Sequence, residues 1–316
     1  MTEKIIIDTD PGIDDAMAIH LAFAHPGLEV VALTTIFGNV HTATATRNAL
    51  VLAEMAQYPC AVAQGADKPL VLPLNPPADF VHGAEGFGDL PARTPTGKPD
   101  PRSAAAYICE MAAAHPGEIT LCAVGPLTNL ALALRHDPAV TKNLKRVVIM
   151  GGAVDAPGNV SPFAEANIIN DPHAAEEVFA ADWPITLVGL DVTMQVRCTP
   201  DDFASMPGSS PTIGGFLNDA TQFYFDFHRR QHDLNCCFMH DPTAVIAVTD
   251  PDVLTCESVP LSVICEGEKI GQTVRIDDPA RRPVDVALGV DIDRVRSIFI
   301  DTIKSADGRV AERTAK

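Results

Sequence analysis

Residues 5–19 read IIIDTDPGIDDAMAI: three isoleucines, then four aspartates, Asp8, Asp10, Asp14 and Asp15, set around a Pro11-Gly12 turn. A short β-branched run with no polar alternation reads as a strand buried on both faces, and such strands belong to parallel sheets covered by helices. From Asp14 to Ala24 the spacing becomes helical, and His25-Pro26-Gly27 stops it. Carboxylates gathered at a strand end repel one another unless water solvates them or a cation lies among them.

Outward from this stretch, residues 30–36, 119–124, 147–150 and 184–189 read as further strands, and 42–57 and 172–181 as helices. The alternation predicts an α/β fold with a mainly parallel central sheet flanked by helices. Beyond about residue 210, helices over 212–230 and 241–248 lead to 259–264 and 273–276, which predict a small antiparallel C-terminal part. A last helix is expected over 291–303. No stretch reads as an interdomain linker, so residues 1–316 are expected to form one domain. The longest irregular segment, 68–102, carries four glycines and His82. A loop of that length predicts either a surface excursion or a flap over a site.

The 316 residues are 47% hydrophobic, and 23 Lys plus Arg against 41 Asp plus Glu leave a net charge of −18. That balance argues against nucleic acid as a partner, since proteins that track phosphates carry basic patches. No apolar run reaches the ~18 residues of a membrane helix. The eight cysteines are scattered without a CxxC pair, which reads as reduced core thiols and not as a zinc site. MTEK enters the first strand without a cationic leader or an apolar h-region, so a cytoplasmic protein without a membrane partner is expected.

In open parallel sheets, ligands bind beyond the carboxyl ends of the strands. Polar residues gather there: Asp8-Thr9-Asp10, Phe37-Gly38-Asn39, Val124-Gly125-Pro126 and Met150-Gly151-Gly152. Asp10, Asp14 and Asp15, with no His or Cys among them, form a hard ligand set suited to Ca²⁺ or Mg²⁺. Helix capping accounts for Asp14 or Asp15, but not for Asp8 and Asp10 as well. GNVSPFAEANIINDP, residues 158–172, offers Asn159, Glu165 and Asn167 for the hydroxyls of a sugar, with Asn170 and Asp171 left to the loop and to capping before Pro172. In MHDPTA, residues 239–244, Asp241 precedes a first-turn proline as an N-cap that can still offer an outer oxygen to a cation. His240 beside it can act as an acid or orient one. The aromatic run 224–228, with Tyr224 and His228, reads equally as helix packing or, with His82, as contacts to a leaving group.

Taken in order, DTDPGIDDA (8–16), TTIFGN (34–39), VGPLTNLALAL (124–134), GNVSPFAEANIINDPHAA (158–175) and HDP (240–242) resemble the inosine-uridine-preferring nucleoside hydrolase family over most of the chain. The resemblance implies hydrolysis of the N-glycosidic bond of ribonucleosides to free base and ribose. It implies Ca²⁺ held by Asp10, Asp15, Asp241 and the Val124 carbonyl, with Asp14 as the base that deprotonates a calcium-held water. Asn39, Asn159, Glu165 and Asn167 would hold ribose hydroxyls, Met150 would be pocket wall, and His240 would sit at the leaving-base end. Asp8 would support without ligating. A homodimer or homotetramer is implied as well. Many relatives carry an aromatic residue between the glutamate and asparagine of AExN, where this chain has Ala166. His82, Tyr224 and His228 are the candidates to contact the base instead.

Two other readings compete. An Asp-x-Asp after a first strand also opens Mg²⁺-dependent phosphatases, but PGIDDA adds acid where a phosphate would sit. A non-catalytic calcium-dependent nucleoside- or sugar-binding protein has no use for a spare base such as Asp14.

Overall fold

Ile5, Ile6 and Ile7 are wholly buried in β1 (Glu3–Thr9) of the computed structural model, which describes residues 2–314. Ile5 and Ile7 join one hydrophobic cluster and Ile6 the other, as side-chain alternation in a strand covered on both faces requires. Along the chain follow β2 (Leu28–Thr35), β3 (Ala61–Gln64), β4 (Ile119–Ala123), β5 (Arg146–Met150), β6 (Ile185–Val188), β7 (Arg197–Cys198), β8 (Cys237–Phe238), β9 (Leu254–Val259), β10 (Leu261–Val263), β11 (Thr273–Arg275) and β12 (Val284–Val290).

The main sheet has eight strands in the order β3-β2-β1-β4-β5-β6-β12-β9. Every neighbouring pair is parallel except β12 with β9, at one edge. The mainly parallel α/β sheet read from the sequence is therefore present. From β1 the chain builds β2 and β3 on one side, then returns to β4, β5 and β6 on the other. The reversal between β1 and β4 opens the crevice in which α/β sheets bind ligands.

Two expectations need correction. The segment 259–264 is not one strand, because Pro260 divides it: β9 closes the main sheet, while β10 pairs antiparallel with β11 in a separate ribbon. Strand β12 was not expected at all. Its sequence, VDVALGV, lacks a continuous apolar run, yet it pairs with β6 on one side and β9 on the other. Here tertiary pairing outweighs local propensity.

The helix Ile13–Ala24 is buried along its whole length and packs against the helix His240–Thr249, which is buried over its first nine residues. This contact brings together two acidic motifs that lie far apart in the sequence. No helix among the described residues is long and apolar enough to cross a membrane.

Candidate active site

The Pro11-Gly12 turn ends β1 and makes Gly12 the N-cap of the helix Ile13–Ala24. Asp15 completes the cap: its Oδ2 accepts the Gly12 N–H at 3.0 Å, and its Oδ1 accepts the Thr9 hydroxyl and, at 3.2 Å, the Asp10 N–H. Asn39 Nδ2 donates to Asp15 Oδ2 at 2.9 Å, while the Asn39 N–H donates to Asp10 Oδ2. Capping and clustering are thus combined in one carboxylate.

Asp14, Asp15 and Asp241 each bring one oxygen to a point where all three lie within 4.8 Å of one another. Asp241 does not serve as the N-cap expected of it. The helix starts at His240, its N-cap is Met239, and the Met239 carbonyl accepts from Thr243. One residue inside the helix, the Asp241 carboxylate is free to face the other two. Asp10 stands beside this trio, its Oδ1 buried with no hydrogen-bond partner among the described residues. Alanine at Gly38 or Gly125 would place its Cβ 2.0 Å from Asp10 Oδ2 or 2.6 Å from Asp10 Oδ1, so the carboxylate is gripped between two glycines. Asp8 turns elsewhere and accepts from Thr34 and Asn129, a supporting role.

Burial makes all five carboxylates hard to ionise without a counter-charge, and neighbouring carboxylates add to it at Asp10, Asp15 and Asp241. Burial pushes Asp8 up to about 7 and Asp14 and Asp15 up to about 6. Asp10 and Asp241 are raised further by the same causes, Asp15 acting on Asp10 and Asp14 on Asp241. Among the described residues no lysine or arginine pairs with any of the five; the nearest basic group is His82, with Nδ1 3.8 Å from Asp14 Oδ1. Burial lowers His82 to about 4, and the Ile13 N–H donates to that same Nδ1, so the ring is neutral. An all-oxygen set with an orphaned buried oxygen and no protein cation fits a hard divalent ion.

A cavity of about 430 Å³ opens above the trio. Asp14, Val124, His240 and Asp241 line it, with all eight expected substrate contacts: Asn39, His82, Met150, Asn159, Glu165, Asn167, Tyr224 and His228. Asp10 and Asp15 do not line it. Glu165 caps the short helix Ala166–Asn170 and accepts the N–H groups of Gly152, Asn167 and Ile168 at 2.9, 2.9 and 3.1 Å. Asn167 Nδ2 donates to the carbonyls of Val124 and Met150, each at 3.0 Å. Asn159 is exposed and accepts the Ala166 N–H at 3.0 Å. Asp171 caps the next helix as expected, accepting from Ala174.

The family model described as inosine-uridine preferring nucleoside hydrolase matches residues 5–297. The chain belongs to this family. As a nucleoside hydrolase it is an enzyme that cleaves N-glycosidic bonds. It is 42% identical over 305 residues to uridine nucleosidase 1 of Arabidopsis thaliana, covering 93% of this chain and 90% of that one. It is 37% identical over 312 residues to the inosine-uridine preferring nucleoside hydrolase of Crithidia fasciculata, covering 96% and 98%. Among solved structures, a plant nucleoside hydrolase superposes with a TM-score of 0.93 at 40% identity, over 96% of this chain and 100% of that one.

In this nucleoside hydrolase an arc of rings forms part of the cavity wall. His82, Tyr224, His228, Phe238 and His240 follow one another at centroid separations of 5.7, 4.6, 5.0 and 5.7 Å. Phe227, from the aromatic run 224–228, also lines the cavity, as do Phe80 and His232, which were not singled out from the sequence. The signal was available for one of these two: His232 stands four residues beyond His228 on the helix Ile213–His232, on the same face. Phe80, on the 68–102 segment, had no such periodicity to mark it.

Proposed function

We propose that the enzyme hydrolyses ribonucleosides to free base and ribose in a calcium-dependent reaction, with Asp14 as the base that takes a proton from the attacking water. The observation that carries this reading is the position of Asp14. Alone among the four N-terminal aspartates it lines the cavity, and it also belongs to the carboxylate trio.

Asp10, Asp15, Asp241 and the Val124 carbonyl would hold the calcium, which supplies a positive charge that makes water acidic enough to serve as a nucleophile near neutral pH. Asp14 accepts the proton as the water oxygen bonds to the anomeric carbon. The electrons of the C–N bond leave with the base. The sugar passes through an oxocarbenium-like state, and the buried carboxylates favour its positive charge.

Asn39, Asn159, Glu165 and Asn167 would orient ribose through its hydroxyls. The three backbone bonds to Glu165 and the two carbonyls held by Asn167 fix these side chains beforehand, which supports a role in positioning. His82, Tyr224, His228 and His240 would meet the leaving base, with Met150 as wall. Ala166 removes bulk beside the glutamate, and the ring arc takes the place of that missing aromatic. A cytoplasmic homodimer or homotetramer completes the reading.

The test is ribose release from uridine, inosine, cytidine and adenosine, each assayed after EDTA and again after added calcium. Uridine comes first because it is the nucleoside named in the plant relatives. Release abolished by EDTA and restored by calcium is expected. Release that is indifferent to EDTA would refute the metal dependence.

A further inference from the structure

Thr193 is wholly buried at the end of the short helix Leu190–Thr193, and its Oγ1 lies 2.8 Å from His240 Nδ1. The backbone on either side is tied down: the Thr193 N–H donates to Gly189, the Val196 N–H to Thr193, and the Met239 N–H to Val196. Thr193 and His240 are therefore held together from both ends, although 46 residues of sequence lie between them.

The direction of the bond follows from what each atom can do. Among the described residues the Thr193 hydroxyl has no other partner, so its hydrogen would be stranded in the interior if it did not donate to His240. An Nδ1 that accepts carries a lone pair, and the ring's N–H is then on Nε2. Among the described residues Nε2 has no hydrogen-bond partner, and the His240 ring lines the cavity. The cavity thus meets a hydrogen-bond donor and not an acceptor. This matters for the chemistry, because a departing base gathers electron density on its ring atoms and is stabilised by a donor placed against it.

We infer that Thr193 is a positioning residue, which fixes His240 as the Nε2–H tautomer and aims that N–H at the leaving base. The inference rests on the proposed nucleoside hydrolysis and adds to it a residue outside the cavity wall. It also divides substrates by leaving group. A nucleobase needs the donor, whereas p-nitrophenolate, stabilised by its own ring, departs without one.

The experiment compares Thr193→Val, of nearly the same shape but without the hydroxyl, with Thr193→Ser, which keeps it. Each is assayed on uridine and on p-nitrophenyl ribofuranoside. Thr193→Val should lower kcat on uridine on the order of 100-fold, the low end of what a positioned proton donor contributes. Its KM should change little, its rate on the p-nitrophenyl riboside should match the parent's, and Thr193→Ser should recover most of the uridine rate. Retained p-nitrophenyl turnover also shows that the variant folds. Equal losses on both substrates would mean that Thr193 is merely structural, and an unchanged uridine rate would mean that it is idle; either overturns the inference. Imidazole ¹⁵N shifts of the parent protein give a reading without turnover: Nδ1 should be unprotonated, and a protonated Nδ1 overturns the tautomer. If the parent protein cleaves neither substrate, the hydrolase reading itself fails and takes the inference with it.

Discussion

Asn39 donates through its side chain to Asp15 and through its backbone to Asp10, so one residue after β2 steadies two carboxylates from the β1 motif. Hydrogen bonds that orient metal-binding carboxylates are worth roughly 10–100-fold in affinity. Asn39→Ala should therefore weaken calcium binding by about that factor, read by calorimetric titration. An unchanged calcium affinity would leave Asn39 as a substrate contact only.

Gly125 tests the same carboxylate from the other side. A Cβ there would stand 2.6 Å from Asp10 Oδ1 and 2.8 Å from Ile36 Cγ2. Gly125→Ala should displace Asp10 and cost about 1–3 kcal/mol by overpacking, with loss of most calcium-dependent turnover. Urea unfolding and activity, measured together, check both parts.

The raised carboxylates set a pH dependence whose sign is definite. Asp8 titrates at about 7 and Asp14 and Asp15 at about 6 in the folded chain without metal, against about 3.9 unfolded. Their protonated forms favour folding, so this contribution is full below the unfolded value and is lost as pH rises through 6 to 7. A bound cation supplies the missing charge and competes with protons for the same oxygens. The gain in Tm on adding calcium to chelated protein should therefore be larger at pH 8 than at pH 5.5. Equal gains at the two pH values would contradict the cluster as the binding site.

His20 works in the opposite sense, away from the cavity. It is wholly buried against Phe23 and Phe216, neither ring nitrogen has a partner among the described residues, and burial lowers it to about 3 despite the nearby Asp307. Stability from its neutral form is complete above about 6.5 and drains away as pH falls toward 3, by up to about 1.4 kcal/mol per pH unit. Denaturant midpoints of the parent and His20→Leu, compared at pH 7.5 and 5, isolate the effect from that of the carboxylates. The acid loss should be smaller in the variant.

The sheet was legible in the sequence wherever strands are buried on both faces, because residues such as Ile5–Ile7 and Val147–Met150 can satisfy no other environment. β12 was not legible, since Asp285 and Gly289 interrupt its pattern and only its neighbours make it a strand. The site was legible where several polar residues share a motif, as at Asp14 and Asp15 or Glu165 and Asn167. Thr193 was not, because its one polar bond joins two segments that no local pattern connects. The trio showed the same limit: a capping role for Asp241 followed from the proline after it, but the first turn's actual start decided which way the carboxylate faces.

The most direct measurement is uridine hydrolysis by Asp14→Ala, alongside calorimetric binding of uridine to the same calcium-loaded variant. Turnover should be abolished while calcium and uridine still bind with near-parental affinity, since Asp14 acts on the water and the remaining contacts hold the sugar. Near-normal turnover would contradict Asp14 as the base.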